Sequence, residues 1–314
     1  MNNKLSYVYL LIIALPLFYG CGNKIVYFVM DEKGNPIPGA IVTTSYFTGG
    51  GLGNASTKDY HDEGLTDGEG FYIYNKSMAG PANMRASARK EGYYKSYAFP
   101  EVYFWEIGKR WKDKTAPKVI GLKQRIKPIK MYAKHVNLRL PKTEGIVGYD
   151  LVAGDFLPPY GIGEKTDLIF HVSSKAGHRL QDITFSNDDD GIQPFLIDSR
   201  FGLSSLSAGH TAPLTGYLSS WKKADDLGYQ QFINITKKQA DDRMRDTTQY
   251  YFRVRTQKDG SAMYGFCIMK FWGIPFISFE YYLNPDGTTN IEYGESYFKM
   301  PAKDETSWPP KVPN

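Results

Sequence analysis

Several groups of residues in this 314-residue chain have types and spacings that could support chemistry. A serine and a lysine stand one helical turn apart in Ser219-Ser220-Trp221-Lys222, where the amine could act as a base towards the hydroxyl. The companion motifs of serine acyl-transferring enzymes are missing from the chain. We therefore interpret this short pattern as a chance occurrence and do not predict a serine enzyme.

A second group consists of carboxylates and aromatic rings in a Gly-rich stretch after Pro141. Its acidic members are Asp150, Asp155, Glu164 and Asp167. Two such carboxylates on either side of a cleft are the acid and base of glycoside hydrolases. Tyr149, Phe156 and Tyr160 could stack on a sugar there, although anchoring in the core is the commoner role of such rings. The stretch leaves a polysaccharide hydrolase open as an alternative function.

Metal chemistry has little support in the sequence. The run 187–191, Asn-Asp-Asp-Asp-Gly, could ligate calcium, but an EF-hand register ending at Gly191 puts Ile197 where the bidentate Glu belongs, so a solvated turn is favoured. None of the five histidines has a Glu at the third following position, which argues against a zinc peptidase. We expect no metal and no cofactor.

The amino terminus has the features of a secretion signal. Lys4 is followed by a charge-free run to Asn23, and its apolar part, residues 5–19, is short against the roughly 20 residues of a spanning helix. Gly20 directly before Cys21 resembles the bacterial lipoprotein signal, in which the chain is cut before the cysteine and its thiol is diacylated. An ordinary cleaved signal and an uncleaved anchor are the alternatives. We expect a signal peptide at 1–20 and lipidation at Cys21.

The second cysteine, Cys267, lies in the strongly apolar run 263–269. A catalytic cysteine needs a neighbouring base and partial exposure. A small buried hydrophobic residue is the expected role here, because free cysteine is among the most buried residue types.

Composition and charge limit the remaining possibilities. Hydrophobic residues make up 42% of the chain and the mean hydropathy is −0.42, which excludes a disordered chain and a multi-span membrane protein. The net charge of +5 is uneven: residues 85–142 hold 16 Lys and Arg against four acidic residues, so this segment carries +12 and the rest −7. Within it, the patch Lys109-Arg110-Trp111-Lys112 could bind an anionic glycan, or it is a solvated loop. Export makes nucleic acid the least expected polyanion.

Short β-type runs with Gly, Pro, Asn and Asp turns follow the signal, at 25–30, 40–47, 71–74 and 84–90. The turn positions are Asp31, Gly34, Pro38, Gly39, Asp67 and Gly70. Two consecutive segments resemble the carboxypeptidase regulatory-like domain. The first is Val29-x-Asp31-x-x-Gly34-x-Pro36-Ile37-Pro38-Gly39-Ala40-x-Val42, and the second is Thr66-Asp67-x-x-Gly70-Phe71. The resemblance covers residues 24–141, with an insertion at 101–118. It implies a transthyretin-like or Ig-like sandwich that serves as a spacer, docking or folding module, with the run 131–140 as its closing strand.

The second half, from residue 142 on, resembles no named family and is expected to be a β-rich α+β domain. Strands are predicted at 167–173, 182–186 and 194–197, and helices at 216–227 and 237–246. Runs at 250–256, 262–272, 276–283 and 289–293, separated by turns such as Asp259-Gly260 and Asp286-Gly287, predict an antiparallel meander.

The chain is thus predicted to be mainly β, with domains at 21–141 and 142–314 after the signal. We expect a non-enzymatic lipoprotein held by its lipid on the bacterial membrane, where it binds or scaffolds an envelope protein or an anionic glycan. Gly22, instead of the Asp that favours inner-membrane retention, points to the outer membrane, facing the periplasm or the cell surface.

Overall fold

A computed structural model describes most of the chain. The described residues are 25–48, 58–75, 82–98, 102–103, 117–142, 144–173, 179–195, 201, 204, 206–221, 248–270 and 276–298. The predicted signal peptide, Cys21, the patch from Lys109 to Lys112 and the helix predicted at 237–246 lie outside these residues.

The amino-terminal half consists of two sheets. Its strands are β1 (Ile25–Met30), β2 (Ile41–Thr48), β3 (Lys58–Leu65), β4 (Phe71–Tyr74), β5 (Ala82–Arg89), β6 (Ser96–Tyr97), β7 (Val102–Tyr103) and β8 (Lys118–Gly121). One sheet has the order β4-β1-β8, with β1 and β8 parallel. The other has the order β3-β2-β5-β6, and β7 also pairs with β5.

The two sheets share one apolar core, which makes this half a β-sandwich. Alternate residues of each strand point inward, as the two-residue period of a strand requires. From the first sheet, Tyr27, Val29 and Ile120 are buried, and from the second, Val42 and Ala88 meet them. The mainly β, sandwich-rich fold expected from the sequence is confirmed.

Two turns hold the connection from β1 to β2 and the entry into β4. Asp31 Oδ1 accepts the N–H groups of Lys33 and Asn35, both at 2.8 Å, and Asp67 Oδ1 accepts that of Phe71 at 2.8 Å. Gly70, with φ of 78°, passes so close to β1 that a Cβ would lie 2.7 Å from the carbonyl oxygen of Val29.

These turns also contain Gly34 and Gly39, with φ of 85° and 62°, in the left-handed region that favours glycine. Pro38 is exposed between the buried Ile37 and the half-buried Gly39. The Thr66 hydroxyl joins the turns, because it donates to the Ile37 carbonyl at 2.7 Å and accepts the Ala40 N–H at 2.8 Å.

The carboxy-terminal half also consists of two packed sheets. Its strands are β9 (Ile129–Arg139), β10 (Gly145–Asp150), β11 (Asp155–Phe156), β12 (Leu168–Ser173), β13 (Arg179–Phe185), β14 (Gly191–Pro194), β15 (Thr248–Val254), β16 (Met263–Lys270), β17 (Phe276–Asn284) and β18 (Tyr293–Ser296). The sheet orders are β11-β10-β12-β13 and β14-β15-β16-β17-β9-β18. Between them lies a core centred on Tyr149, whose ring meets those of Phe156, Phe170, Phe279 and Tyr281.

Strand β9 is placed differently from the prediction. The run 131–140 does not close the first sandwich, because β9 pairs with β17 on one side and with β18 on the other. Val136 and Leu140 are buried as expected, at 1% and 3% exposure, but against the carboxy-terminal core. The chain therefore passes from one unit to the other between β8 and β9, before the boundary predicted near Pro141.

The meander is confirmed for β15, β16 and β17, which pair antiparallel in sequence order. The expected fourth strand is corrected: β18 begins at Tyr293 and runs parallel to β9, so it does not extend the meander beyond β17. The helix predicted from Gly216 is also wrong for residues 216–220. There the backbone of Leu218 exchanges two 2.9 Å hydrogen bonds with that of Ile192, at the edge of β14.

Cys267 lies in the core with 3% exposure, as the sequence predicts. Burial raises the pKa of its thiol, which keeps the group protonated and unreactive. No helix within the described ranges is long and apolar enough to span a membrane.

Candidate functional site

The structure brings two of the predicted carboxylates together on one arginine. Asp150 ends β10, Asp167 directly precedes β12, and Arg255 follows β15. Arg255 Nη2 lies 2.7 Å from Asp150 Oδ1, while its Nε and Nη2 donate to the two oxygens of Asp167 at 2.7 and 2.9 Å. This arrangement, called here the Arg255 network, links the four-stranded sheet to the six-stranded sheet.

Main-chain donors occupy the same carboxylates. Asp150 Oδ1 accepts the N–H groups of Val152 and Ala153 at 2.8 and 2.9 Å, and its Oδ2 accepts those of Glu164 and Lys165, both at 3.0 Å. Asp167 Oδ2 also accepts the N–H of Leu151 at 2.8 Å. The side chains of Asp150 and Asp167 are only 4% and 1% exposed, so both carboxylates are largely shielded from water.

Burial and hydrogen bonding have different net effects on the two acids. Burial acts to raise the pKa of Asp150, but its main-chain N–H donors outweigh burial and leave that pKa below its ordinary value. For Asp167, burial prevails over the pairing with Arg255, and its pKa is raised. Burial acts to lower the pKa of Arg255, but the two carboxylates outweigh burial and raise that pKa.

A third acid sets the backbone of Arg255. This residue has φ of 57°, a left-handed conformation that is uncommon for a residue with a side chain. The buried Asp190 carboxylate accepts the N–H of Arg255 and the N–H of Thr256, both at 2.9 Å, and also the Thr256 hydroxyl. Asp190 comes from the acidic run considered for calcium, and the part of the chain that the structure describes contains no cluster of metal-ligating side chains. The run forms a turn that orients an arginine.

The Arg255 network supports a loop from Leu157 to Gly163, called here the Tyr160 loop. Asp155 at its base accepts the N–H groups of Phe156 and Ile162 at 2.8 and 3.1 Å. The loop is also closely packed, since a Cβ on Gly161 would lie 2.4 Å from the Phe156 carbonyl oxygen. The bonds from Asp150 to Glu164 and Lys165 hold its end.

The tip of the Tyr160 loop is apolar and exposed. Ile162 is 79% exposed and Tyr160 41%, and Ile146 on the neighbouring β10 is 59% exposed. The other two aromatic candidates, Tyr149 and Phe156, are buried in the core. The Nζ of Lys142 lies 5.6 Å from the centre of the Tyr160 ring, so a cation borders the tip.

Sequence reasoning identified the acids of this region but missed Arg255, which falls inside the predicted strand 250–256. Its partners are 88 and 105 positions away, and no local pattern marks it. The Ser-x-x-Lys fragment is not assembled within the described residues: Ser219 is exposed, and Lys222 lies outside them.

The fold and this site define a double β-sandwich protein with a braced, apolar surface loop. In comparisons with known proteins, no family model matches the chain, and no curated protein matches it significantly.

The lowered pKa of Asp150 makes a testable prediction about pH. A group whose pKa is lower in the folded state adds stability above its unfolded pKa, about 3.9 for Asp, and this stability is lost as the pH falls through the folded value. The gap in unfolding free energy between wild type and Asp150→Asn should therefore be widest near neutral pH and shrink in acid. Urea titrations at a series of pH values measure it, with the exposed Glu164→Gln as the control; a gap that widens in acid would contradict the assignment.

Proposed function

We propose that this chain is a non-enzymatic, lipid-anchored binding module of the bacterial envelope, and that the Tyr160 loop holds its partner. The observation that carries the proposal is the contrast within one region. Beneath the loop, buried charges and main-chain bonds hold its backbone in place, while its tip exposes Tyr160 and Ile162 to solvent.

This contrast supports binding because a loop that is already ordered loses little conformational entropy when a partner arrives. Exposed apolar side chains grouped on one rigid element are the usual centre of a protein contact. Ile146 lies on the same surface as the loop. Residues 146 and 148 of β10 face the same side of the sheet, and a Cβ on Gly148 would lie 3.3 Å from Leu157, the first residue of the loop.

The chemistry of the tip favours a protein partner over a glycan at this position. Ile162 and Ile146 are aliphatic and the most exposed of the apolar residues there, whereas sugar sites use flat rings with polar groups beside them. An anionic glycan is the ligand that suits the patch Lys109, Arg110, Trp111 and Lys112, and it is the alternative ligand of the module.

A hydrolase acting on envelope or extracellular polysaccharide is the alternative function, and the geometry of the acids does not favour it. Asp150 and Asp167 share a single guanidinium and accept main-chain N–H groups, so they are poorly placed to exchange protons with a substrate. Asp155 accepts two main-chain N–H groups, and Glu164 lies exposed on the surface.

The proposed location in the envelope is supported by the sequence of the amino terminus. Acylation of Cys21 would hold the mature chain on the membrane, with Gly22 favouring the outer membrane. Cys21→Ser should abolish incorporation of a clickable fatty acid and release the protein from the membrane fraction. Continued labelling of the variant would contradict the lipid anchor.

The binding role can be tested by site-specific photo-crosslinking in intact cells. A photoreactive residue at position 160 should give a discrete adduct, and Ile162→Asp should abolish it without changing the circular dichroism spectrum. Gly161→Ala should weaken the adduct as well, because the added Cβ displaces the loop backbone without changing which side chains the loop exposes. Leu214→Asp, at a residue that is 66% exposed and lies outside the Tyr160 loop, is the matched control and should keep the adduct.

Two results would overturn this proposal. One is an adduct that forms equally in the Ile162→Asp variant. The other is release of reducing sugar from envelope polysaccharide that Asp155→Asn and Glu164→Gln abolish, which would establish the hydrolase.

A further inference from the structure

The sheet β4-β1-β8 has an apolar surface on its outward side. The register places Val26 opposite Ile73, and Phe28 opposite both Phe71 and Val119. Ile73 is 47% exposed and the other four residues are half-buried, while the rings of Phe28 and Phe71 lie 5.0 Å apart. These five residues are called here the outer face.

An apolar outer face is unusual for this sheet because its inner face already packs in the sandwich core. Tyr27, Val29 and Ile120 on the inner side are 1%, 0% and 0% exposed. A sheet with one face in the core and the other in water normally alternates apolar and polar residues. The β4-β1-β8 sheet therefore has the composition of a sheet that is covered on both sides.

The opposite side of the same sandwich provides an internal comparison. The outward residues of β3 and β5 include His61, Glu63, Arg85 and Arg89, all exposed. Arg89 and Glu63 form an ion pair at 3.4 Å, with their side chains 47% and 51% exposed. The two sides of one small sandwich thus differ sharply, one charged and one apolar.

The position of the outer face relative to Cys21 indicates what covers it. Strand β1 begins at Ile25, four residues after Cys21. Four residues of extended chain span at most about 14 Å. Any lipid on Cys21 therefore keeps β1 next to the bilayer. Lys24, which directly precedes β1 in the sequence, carries a positive charge that suits anionic headgroups.

From these observations we infer that the outer face lies on the lipid bilayer that holds the anchor, with Phe28, Phe71 and Ile73 in the headgroup region. The inference rests on the lipid anchor of the proposed function. Apolar side chains gain free energy in this region in proportion to the area they bury, and an anchored protein meets the bilayer at high effective concentration. The charged side of the sandwich then faces away from the membrane.

The test uses the acylated full-length protein in vesicles of phosphatidylethanolamine and phosphatidylglycerol. Ile73→Cys and Leu65→Cys each introduce one reactive thiol, since Cys267 is buried and acylation occupies Cys21. Leu65 is 64% exposed on the charged side and is the matched control. A solvatochromic dye at position 73 should emit at shorter wavelength and lose most of its emission when the lipids carry brominated chains. The dye at position 65 should do neither.

Three other outcomes would contradict the inference, and each identifies a different part of it as wrong. Vesicles that float with the protein while the dye at position 73 stays unquenched would overturn the membrane face and leave the anchor intact. Failure to incorporate fatty acid or to float would overturn the anchor and the inference with it. Disulfide-linked dimers of Ile73→Cys in lipid would show that a second copy covers the face, which also overturns it.

Discussion

Arg255→Met is expected to lower the free energy of unfolding by about 3–5 kcal/mol, the usual cost of removing one partner from a buried ion pair. The substitution removes the donors that lie 2.7 Å from Asp150 and from Asp167 and leaves both carboxylates in the protein interior. Because Arg255 bridges the two sheets, the loss should reduce the cooperativity of the carboxy-terminal unit. Urea unfolding followed by tryptophan fluorescence measures the change.

The control for Arg255 is Arg89→Met. Arg89 makes an ion pair with Glu63, but both side chains are about half exposed, and such surface pairs contribute about 0–1 kcal/mol. Asp167→Asn combined with Arg255→Met should cost less than the sum of the single losses, because the double variant removes one of the two stranded charges. If Arg255→Met costs no more than Arg89→Met, the network is not the brace of the Tyr160 loop.

Glu292→Ala is the second change with a large expected effect, about 2–4 kcal/mol, because it removes a buried, charged acceptor of several hydrogen bonds. Glu292 is 3% exposed, and its Oε2 accepts the N–H groups of Ile126 and Lys127 at 2.8 and 3.1 Å. The Tyr94 hydroxyl donates to the same oxygen at 3.4 Å, and His210 Nδ1 lies 3.0 Å from Oε1.

These contacts join the two units of the chain. Tyr94 belongs to the amino-terminal half, Ile126 and Lys127 to the connection between β8 and β9, and Glu292 to the segment before β18. His210 Nε2 also lies 3.0 Å from Glu32 in the turn after β1. Glu292→Ala should therefore loosen the junction between the units and make the β8–β9 connection cleavable by trypsin after Arg125.

Glu295→Ala is the matched control for Glu292, because it removes an exposed carboxylate of the same chain segment. Its unfolding midpoint and its tryptic pattern should stay those of the wild type. Equal resistance of the Glu292→Ala variant to trypsin would show that other contacts hold the junction. One such contact is the Lys123 amine, which donates to the carbonyl groups of Ser207 and Ala208.

Local features of the fold could be predicted from the sequence, whereas the partners of each strand could not. The turn around Asp259-Gly260 joins β15 to β16 in a hairpin, because residues close in sequence determine it. The turn at Asp286-Gly287 follows β17, but the strand after it pairs with β9. The apolar and polar residues of the run 131–140 alternate in a way that suits either sheet. This alternation predicts which side chains are buried, but it does not predict which sheet the strand joins. Only the pairing with β17, about one hundred and forty residues later in the sequence, decides its place.

The candidate site shows the same division. Glycines, prolines and acids marked the region of the Tyr160 loop. The sequence could not show which of the three aromatic residues of this region are buried and which is exposed. Tyr149 and Phe156 are buried and Tyr160 is exposed because β10 and β11 turn the first two towards the core. The continuous apolar run 25–30 places apolar residues on both sides of its strand, but it does not show which side stays exposed, so the outer face was not predicted.

The position of β9 has a consequence for how the protein matures. In the six-stranded sheet, β9 lies between β17 and β18, the last two strands that the structure describes. During synthesis or translocation β9 emerges early and has neither neighbour until nearly the whole chain has followed. Pairings over such long sequence separations form slowly and leave strand edges open to other chains. The carboxy-terminal unit should therefore keep unpaired strand edges until its last strands arrive, whereas the amino-terminal sandwich completes its own sheets as it emerges.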